Sequence, residues 1–285
     1  MQSPLLRHIG IVAIWAIAIL IVFVVGLKIF GMWYDEWSGF NASWDLSGGG
    51  YCNIGILPIV GEIAIYDYSQ EYLSEEGGAY TLAVADDVVG YLRAMEADPY
   101  IEGVLVRIDS GGGSPVASEV ITNALKHSFL PTAAVIREIG TSGAYLAATG
   151  ADFIFASAYS DVGSIGITMS YLENSRQNET EGLRYVSLAS GELKDAGNPN
   201  KPLTAEERAL FERDLALSHE YFVTQVAENR GLPREDVEVL ADGSSMMGEQ
   251  ALENGLIDAV GDQEAARFWF AEELGLSPEE VVFCE

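Results

Sequence analysis

Residues 103–156 read GVLVRIDSGGGSPVASEVITNALKHSFLPTAAVIREIGTSGAYLAATGADFIFA, and this stretch decides the fold. Gly103–Ile108 is a short run of β-branched and apolar residues, the pattern of a strand. Ser110–Ser114 is a glycine loop, and a helix follows over Val116–Lys126. Thr132–Ile136 is a second strand, Ser142–Thr149 a helix start, and Phe153–Ala156 a third strand. Strands that alternate with helices predict an α/β fold with a mostly parallel, layered core.

The pattern extends on both sides. Asn53–Tyr66 alternates apolar residues with glycine and predicts extended strand. Tyr80–Ala97 reads as an amphipathic helix ended by Asp98-Pro99. Tyr185–Leu188 reads as a strand. Thr204–Arg230 reads as one long helix: Thr204 caps it, Glu206 and Glu207 fill its first turn, and Gly231 stops it. No internal repeat or low-complexity tract interrupts the chain.

Charge divides the molecule. The 285 residues carry a formal charge of −28, yet mean hydropathy is positive at +0.16. No acid precedes Asp35. Residues 35–285 hold 13 Lys+Arg against 43 Asp+Glu, a formal charge of −30. So acidic a body repels phosphate backbones, which argues against nucleic-acid binding. About half of the residues are apolar, which argues against wholesale disorder. Cys52 and Cys284 are the two cysteines, without a CxxC or a Cys/His cluster, so neither a disulfide framework nor a zinc site is supported. A single bridge between them stays open.

Ile9–Leu27 is an uncharged run of 19 residues, extended past Lys28 by Ile29–Trp33. At about 1.5 Å per residue it is long enough for a hydrocarbon core of about 30 Å. It is longer than the apolar region of a signal peptide, and bulky residues follow it. The expected organisation is a tail over 1–8, a transmembrane anchor over 9–31, a linker over 32–52 and a catalytic domain over 53–285. Arg7 and His8 at the first end favour a cytoplasmic N-terminus with an extracytoplasmic body, a single-pass arrangement in the cell membrane.

Two loops at strand ends are candidates for chemistry. Asp109–Ser114 is either a plain turn or a loop that aims N–H groups at a developing oxyanion. It lacks GK[ST] and GxGxxG, so phosphate binding is a poor reading. In Gly140-Thr-Ser-Gly-Ala-Tyr145, Ser142 is either a helix N-cap or an exposed nucleophile near a helix N-terminus. A nucleophilic serine needs a base. His8, His127 and His219 do not stand in loops at strand ends. Lys194 stands in a loop-like stretch, Ser190–Gly197; it is a solvated lysine or, if burial keeps it neutral, a base.

The ordered set RIDSGGGS (107–114), GTSGAYLAATGADFIFAS (140–157), VGSIGI (162–167), SGELKDAGNP (190–199), PLTAEER (202–208) and ADGSSMMGEQALENGLID (241–258) resembles the signal peptide peptidase A family. These are membrane-anchored serine proteases related in fold to Clp protease and crotonase. The resemblance covers roughly Asn53 to Ala265. It implies that Ser142 is the nucleophile, Lys194 the general base and Ser164 a residue orienting the lysine. It implies that the backbone N–H groups of Gly112 and Gly143 form the oxyanion hole. Two positions depart from the family pattern: Gly111 stands where a proline is usual, and Ala144 where a glycine is usual.

The resemblance further implies no cofactor and no metal. It implies peptide substrates such as remnant signal peptides and unfolded or hydrophobic segments, contact with the membrane through the anchor, and a homo-oligomer that encloses the sites. The rival expectations are a related membrane-bound Ser-Lys protease with one specific membrane-protein substrate, a catalytically idle peptide-binding scaffold, and a crotonase-like acyl-CoA enzyme. The excess of acids is expected on the outer surface, away from Ser142.

Overall fold

The computed structural model describes residues 52–68 and 81–284. The strands β1 (Ile54–Val60), β4 (Gly103–Ser110), β5 (Thr132–Thr141) and β6 (Phe153–Ala156) form the centre of one sheet, with β9 (Ala259–Val260) and β10 (Phe283–Cys284) at its edges. The order is β10-β1-β4-β5-β6-β9, and every neighbouring pair runs parallel. The far end of β5 also pairs with β7 (Asp161–Gly163), which holds β8 (Ser245–Met247) antiparallel. A small separate sheet joins β2 (Glu62–Ala64) to β3 (Leu82–Val84).

Period-two alternation sorts these strands between two cores. On β4, Val104, Val106 and Ile108 join the larger core, whereas Leu105 joins the smaller one on the opposite face. The same split separates Leu57 and Ile59 from Ile54 and Ile56 on β1. The larger core takes helices α1 (Ala85–Ala97), α2 (Pro115–Lys126), α3 (Gly143–Ala148) and the second half of α5 (Ala205–Arg230). Between α3 and α5 lies the short α4 (Ser175–Thr180), and α6 (Arg234–Leu240) and α7 (Gly248–Glu253) follow α5. The smaller core is covered by α8 (Gln263–Leu274) through Ala266, Phe270 and Ala271. Both faces are thus covered, as a parallel sheet requires.

The parallel α/β expectation holds, and three local readings are corrected. The predicted helix over Tyr80–Ala97 begins only at Ala85, because Leu82–Val84 is extended and pairs with β2. Tyr185–Leu188 is not a strand; it lies exposed, and among the described residues no segment pairs with its backbone. Cys52 and Cys284, left open by sequence, are joined in a disulfide with Cα atoms 5.2 Å apart. The bridge stands where β10 pairs with β1, so it ties the last described strand to the first.

The expectation of a membrane-anchored, single-pass protein is also corrected. Among the described residues no helix is long and apolar enough to cross a membrane. The one helix of sufficient length, the 26-residue α5, carries charge along most of its turns and buries only Glu207, Phe222, Val223, Val226 and Ala227. The expected anchor over 9–31 lies outside the described residues. The anchor, the membrane contact it was to provide and the orientation drawn from it are therefore withdrawn.

Candidate functional site

Three loops converge at the carboxyl ends of β4, β5 and β7. β4 runs into Gly111–Gly113, after which Ser114 caps α2 by accepting the Ala117 N–H at 3.3 Å. Cross-linking hydrogen bonds fix this loop: Ile63 N–H donates to Gly112 O at 2.9 Å and Ser114 N–H to Ile63 O at 2.8 Å. Gly112 and Gly113 hold φ at +99° and +153°, and a Cβ on Gly113 would lie 2.2 Å from Ile63 O. Only glycine meets both demands.

β5 ends at Thr141, and Ser142 turns the chain into α3. Its φ is +53° and its ψ −126°, a conformation costly to a side chain. The Ser142 N–H donates to Gly163 O at 2.7 Å, and no side-chain cap bond is made. Ser142 is therefore not a conventional N-cap. Ser142 lines a cleft of about 530 Å³ together with Gly113, Gly143, Leu146, Ile167 and Phe222 among others.

The predicted site residues fall into two groups. Ser142, Gly112 and Gly143 come together: a Cβ on Gly112 would lie 2.7 Å from Gly143 N and 2.9 Å from the Ser142 Cβ. Yet the Gly112 N–H already donates to Ser110 Oγ at 3.1 Å, and Gly112 is buried. Gly113, which sequence reasoning passed over, lines the cleft beside Ser142. Among the described residues no hydrogen bond engages its amide or that of Gly143. The run of three glycines gave no means of telling which amide was free.

Ser164 and Lys194 do not line the cleft. Ser164 also has positive φ, +51°, but its hydroxyl donates to Gly243 O at 2.8 Å. Lys194 stands exposed in a turn, its own N–H donating to Gly191 O at 3.1 Å, and does not line the cleft. Among the described residues no hydrogen bond links Lys194 to Ser142. The turn itself is well held. Asp195 accepts from Tyr185 Oη at 2.9 Å and Asn198 Nδ2 at 3.1 Å, and Lys201 bridges Asp195 to the buried Glu207. Burial pulls the Asp195 carboxyl up, but the hydrogen bonds from Tyr185, Ser187 and Asn198 and the charge of Lys201 outweigh it and hold it below the usual range.

His8 lies outside the described residues, and the two described histidines are engaged elsewhere. His127 Nδ1 is 2.6 Å from Asn123 O and His219 Nε2 is 2.9 Å from Ala241 O, and neither lines the cleft. Tyr145, on the helix that follows the Ser142 turn, is fully buried and donates to Leu256 O at 2.8 Å. Burial pushes its phenol well above the usual range. It is a structural anchor for α3. Among the described residues no group of His, Cys, Asp and Glu has the make-up of a metal site.

Comparison with known proteins shows which family the chain resembles. The family model described as peptidase family S49 matches residues 124–277. A protein of Methanocaldococcus jannaschii with a protease name is 30% identical, covering 93% of this chain and 85% of that one. A Synechocystis protein, also with a protease name, is 34% identical over 73% of this chain and 75% of that one. The chloroplastic serine protease SPPA of Arabidopsis thaliana is 28% identical over 80% of this chain and 33% of that one. Among solved structures, a ClpP1 mutant from Listeria monocytogenes gives a TM-score of 0.46 at 15% identity, with 73% of this chain and 91% of that one covered. That likeness is too slight to argue from.

Proposed function

The chain belongs to peptidase family S49, and from that membership we propose that it cleaves peptides with Ser142 as nucleophile and Lys194 as base. Serine-protease function follows at the level of the family; the dyad is the finer reading. The observation that carries it is the Ser142 turn: a strained serine at a helix start, lining a cleft between two unengaged amides.

Ser142 Oγ forms a bond to the scissile carbonyl carbon while its proton passes to Lys194 Nζ. The carbonyl electron pair moves onto oxygen, where the Gly113 and Gly143 amides receive it. The C–N bond then breaks as the proton passes from Lys194 to the leaving nitrogen. Lys194 then takes a proton from water as its oxygen attacks the ester carbon; the bond from that carbon to Ser142 Oγ breaks, Lys194 passes the proton to Oγ, and the acid product leaves. Gly112 serves in this scheme by shaping the loop that presents Gly113. Ser164 acts by holding the segment after β7 against Gly243.

Lys194 has to reach Ser142, and it has to be neutral, which burial promotes. Both needs are met if a second copy of the chain supplies the lysine. The segment around Lys194 exposes Tyr171, Leu172, Leu183, Val186 and Leu188, apolar surface that a neighbouring copy would cover. The experiment uses a fluorophosphonate probe and a fluorogenic peptide. Ser142→Ala is expected to lose both labelling and cleavage, and Lys194→Ala cleavage. Mixing the two inactive chains is expected to restore part of the activity. Full activity in either single variant overturns the dyad; inactivity of the mixture confines it to one chain.

A further inference from the structure

The cleft wall holds one formal charge. Its lining comes from the glycine loop, α2, α3, residues 166–168 and one face of α5, and among the described residues Glu119 on α2 is its only Asp, Glu, Lys, Arg or His. This departs from the expectation that acids would keep away from Ser142. Glu119 is exposed, and Gln225 Nε2 on α5 donates to its Oε1 at 3.2 Å. Among the described residues no cation pairs with it, although ten ion pairs engage acids elsewhere. The rest of the wall is apolar or neutral, with Val116, Leu146, Ile167 and Phe222 supplying the hydrocarbon surface.

An apolar trough with one free carboxylate is the complement of a long aliphatic stem ending in a cation. We propose that Glu119 makes this cleft selective for peptides that present a lysine or arginine side chain to it. The stem lies along Leu146 and Phe222, and the cation meets the carboxylate oxygen that Gln225 leaves open. A purely hydrophobic substrate would fill the same trough but leave Glu119 unpaired as water is driven out. The proposal rests on the cleft being the peptide site, and it sharpens that reading by naming a substrate class.

Binding tests it without requiring catalysis. The full chain carrying Ser142→Ala is titrated, by fluorescence anisotropy, against labelled peptides differing at one walked position as Lys, norleucine or Glu. Lysine is expected to bind about tenfold more tightly than norleucine at one position, and glutamate more weakly than either. Adding Glu119→Gln, which keeps the tie to Gln225, is expected to erase the preference for lysine. Adding Glu272→Gln, an exposed acid on α8 outside the cleft, is expected to keep it, which separates Glu119 from the field of the whole acidic surface. A lysine preference that survives Glu119→Gln, or its absence from the starting chain, overturns the proposal. Cleavage by the chain with Ser142 intact is scored separately. Equal binding with cleavage sinks the selectivity and spares the peptidase; selective binding without cleavage does the reverse.

Discussion

Ser142 and Ser164 are the two non-glycine residues with positive φ among those described, and they flank one junction. Ser142 N–H donates to Gly163 O, so the strained serine of one loop leans on the residue before the other. The strained Ser142 lines the cleft. A backbone held at φ +53° and ψ −126° costs a side-chain-bearing residue on the order of 1–3 kcal/mol. Ser142→Gly relieves it but adds freedom to the unfolded chain, leaving a net gain of about 1 kcal/mol. A rise in melting temperature of roughly 2–4 °C is therefore expected, with complete loss of activity. Ser142→Ala keeps the Cβ and is expected to melt close to the parent. Equal melting of the glycine and alanine variants would show that no strain is stored there. Gly143 makes the same argument through space: a Cβ there would lie 2.2 Å from Ser118 Oγ. Gly143→Ala is expected to abolish labelling of Ser142, and Ser118→Ala in the same chain to restore part of it.

Among the elements, α5 was the most legible from sequence. The Thr204 side chain accepts the Glu207 N–H at 3.2 Å, Glu207 reaches back to the Thr204 N–H at 3.0 Å, and Gly231 ends the helix at φ +63°. These are local signals, and local reading found them. What stayed hidden is that Glu207 also pairs with Lys201 and, through it, steadies the turn of Lys194. The bond from Lys201, and after it the Thr204 N–H, hold the Glu207 carboxyl below the usual range; the bond to Glu207 lifts Lys201 above its own. The signs follow. A lowered carboxyl contributes stability that is complete above its unfolded value and lost as pH falls through the folded one. A raised amine contributes stability that is complete below its unfolded value and lost as pH rises through the folded one. The clamp is thus whole at neutral pH and opens in acid. Amide exchange over residues 191–201, corrected for intrinsic pH dependence, is expected to accelerate below the ordinary carboxylate range. Glu207→Gln keeps the helix cap but removes the charge, so its exchange is expected to be faster at neutral pH and to lack the acid step. An acid step of unchanged size in that variant would place the switch elsewhere. The other elements missed from sequence share one cause. Leu82–Val84 is a strand because Glu62–Ala64 lies beside it, and Tyr185–Leu188 is not one because, among the described residues, nothing does. Pairing across the chain is absent from a local pattern, and so is the placing of Lys194 in an exposed turn that does not line the cleft of Ser142.

For the whole molecule, the charge excess has a place but no role in the fold. Among the described residues Glu207 is the one acid buried as a whole residue, and Glu96 also keeps its side chain largely covered; most other carboxylates lie at or near the surface. The sequence holds 43 acids against 15 Lys and Arg, and among the described residues ten ion pairs leave most of the acids without a cation. Like charges on one compact body repel, and unfolding relieves the repulsion by moving them apart. Salt acts on this directly, since the screening length falls from about 8 Å at 0.15 M to about 3 Å at 1 M. Stability is therefore expected to rise with sodium chloride over that range, the opposite of a fold held by surface ion pairs. Binding of a lysine peptide in the cleft is expected to weaken over the same range, because the attraction of Glu119 is screened along with the repulsion. The two trends separate the general field from the local site. Melting temperature and peptide affinity, followed together in one salt series, are expected to move in opposite directions. A melting temperature that falls with salt would mean that the ion pairs outweigh the excess of acids.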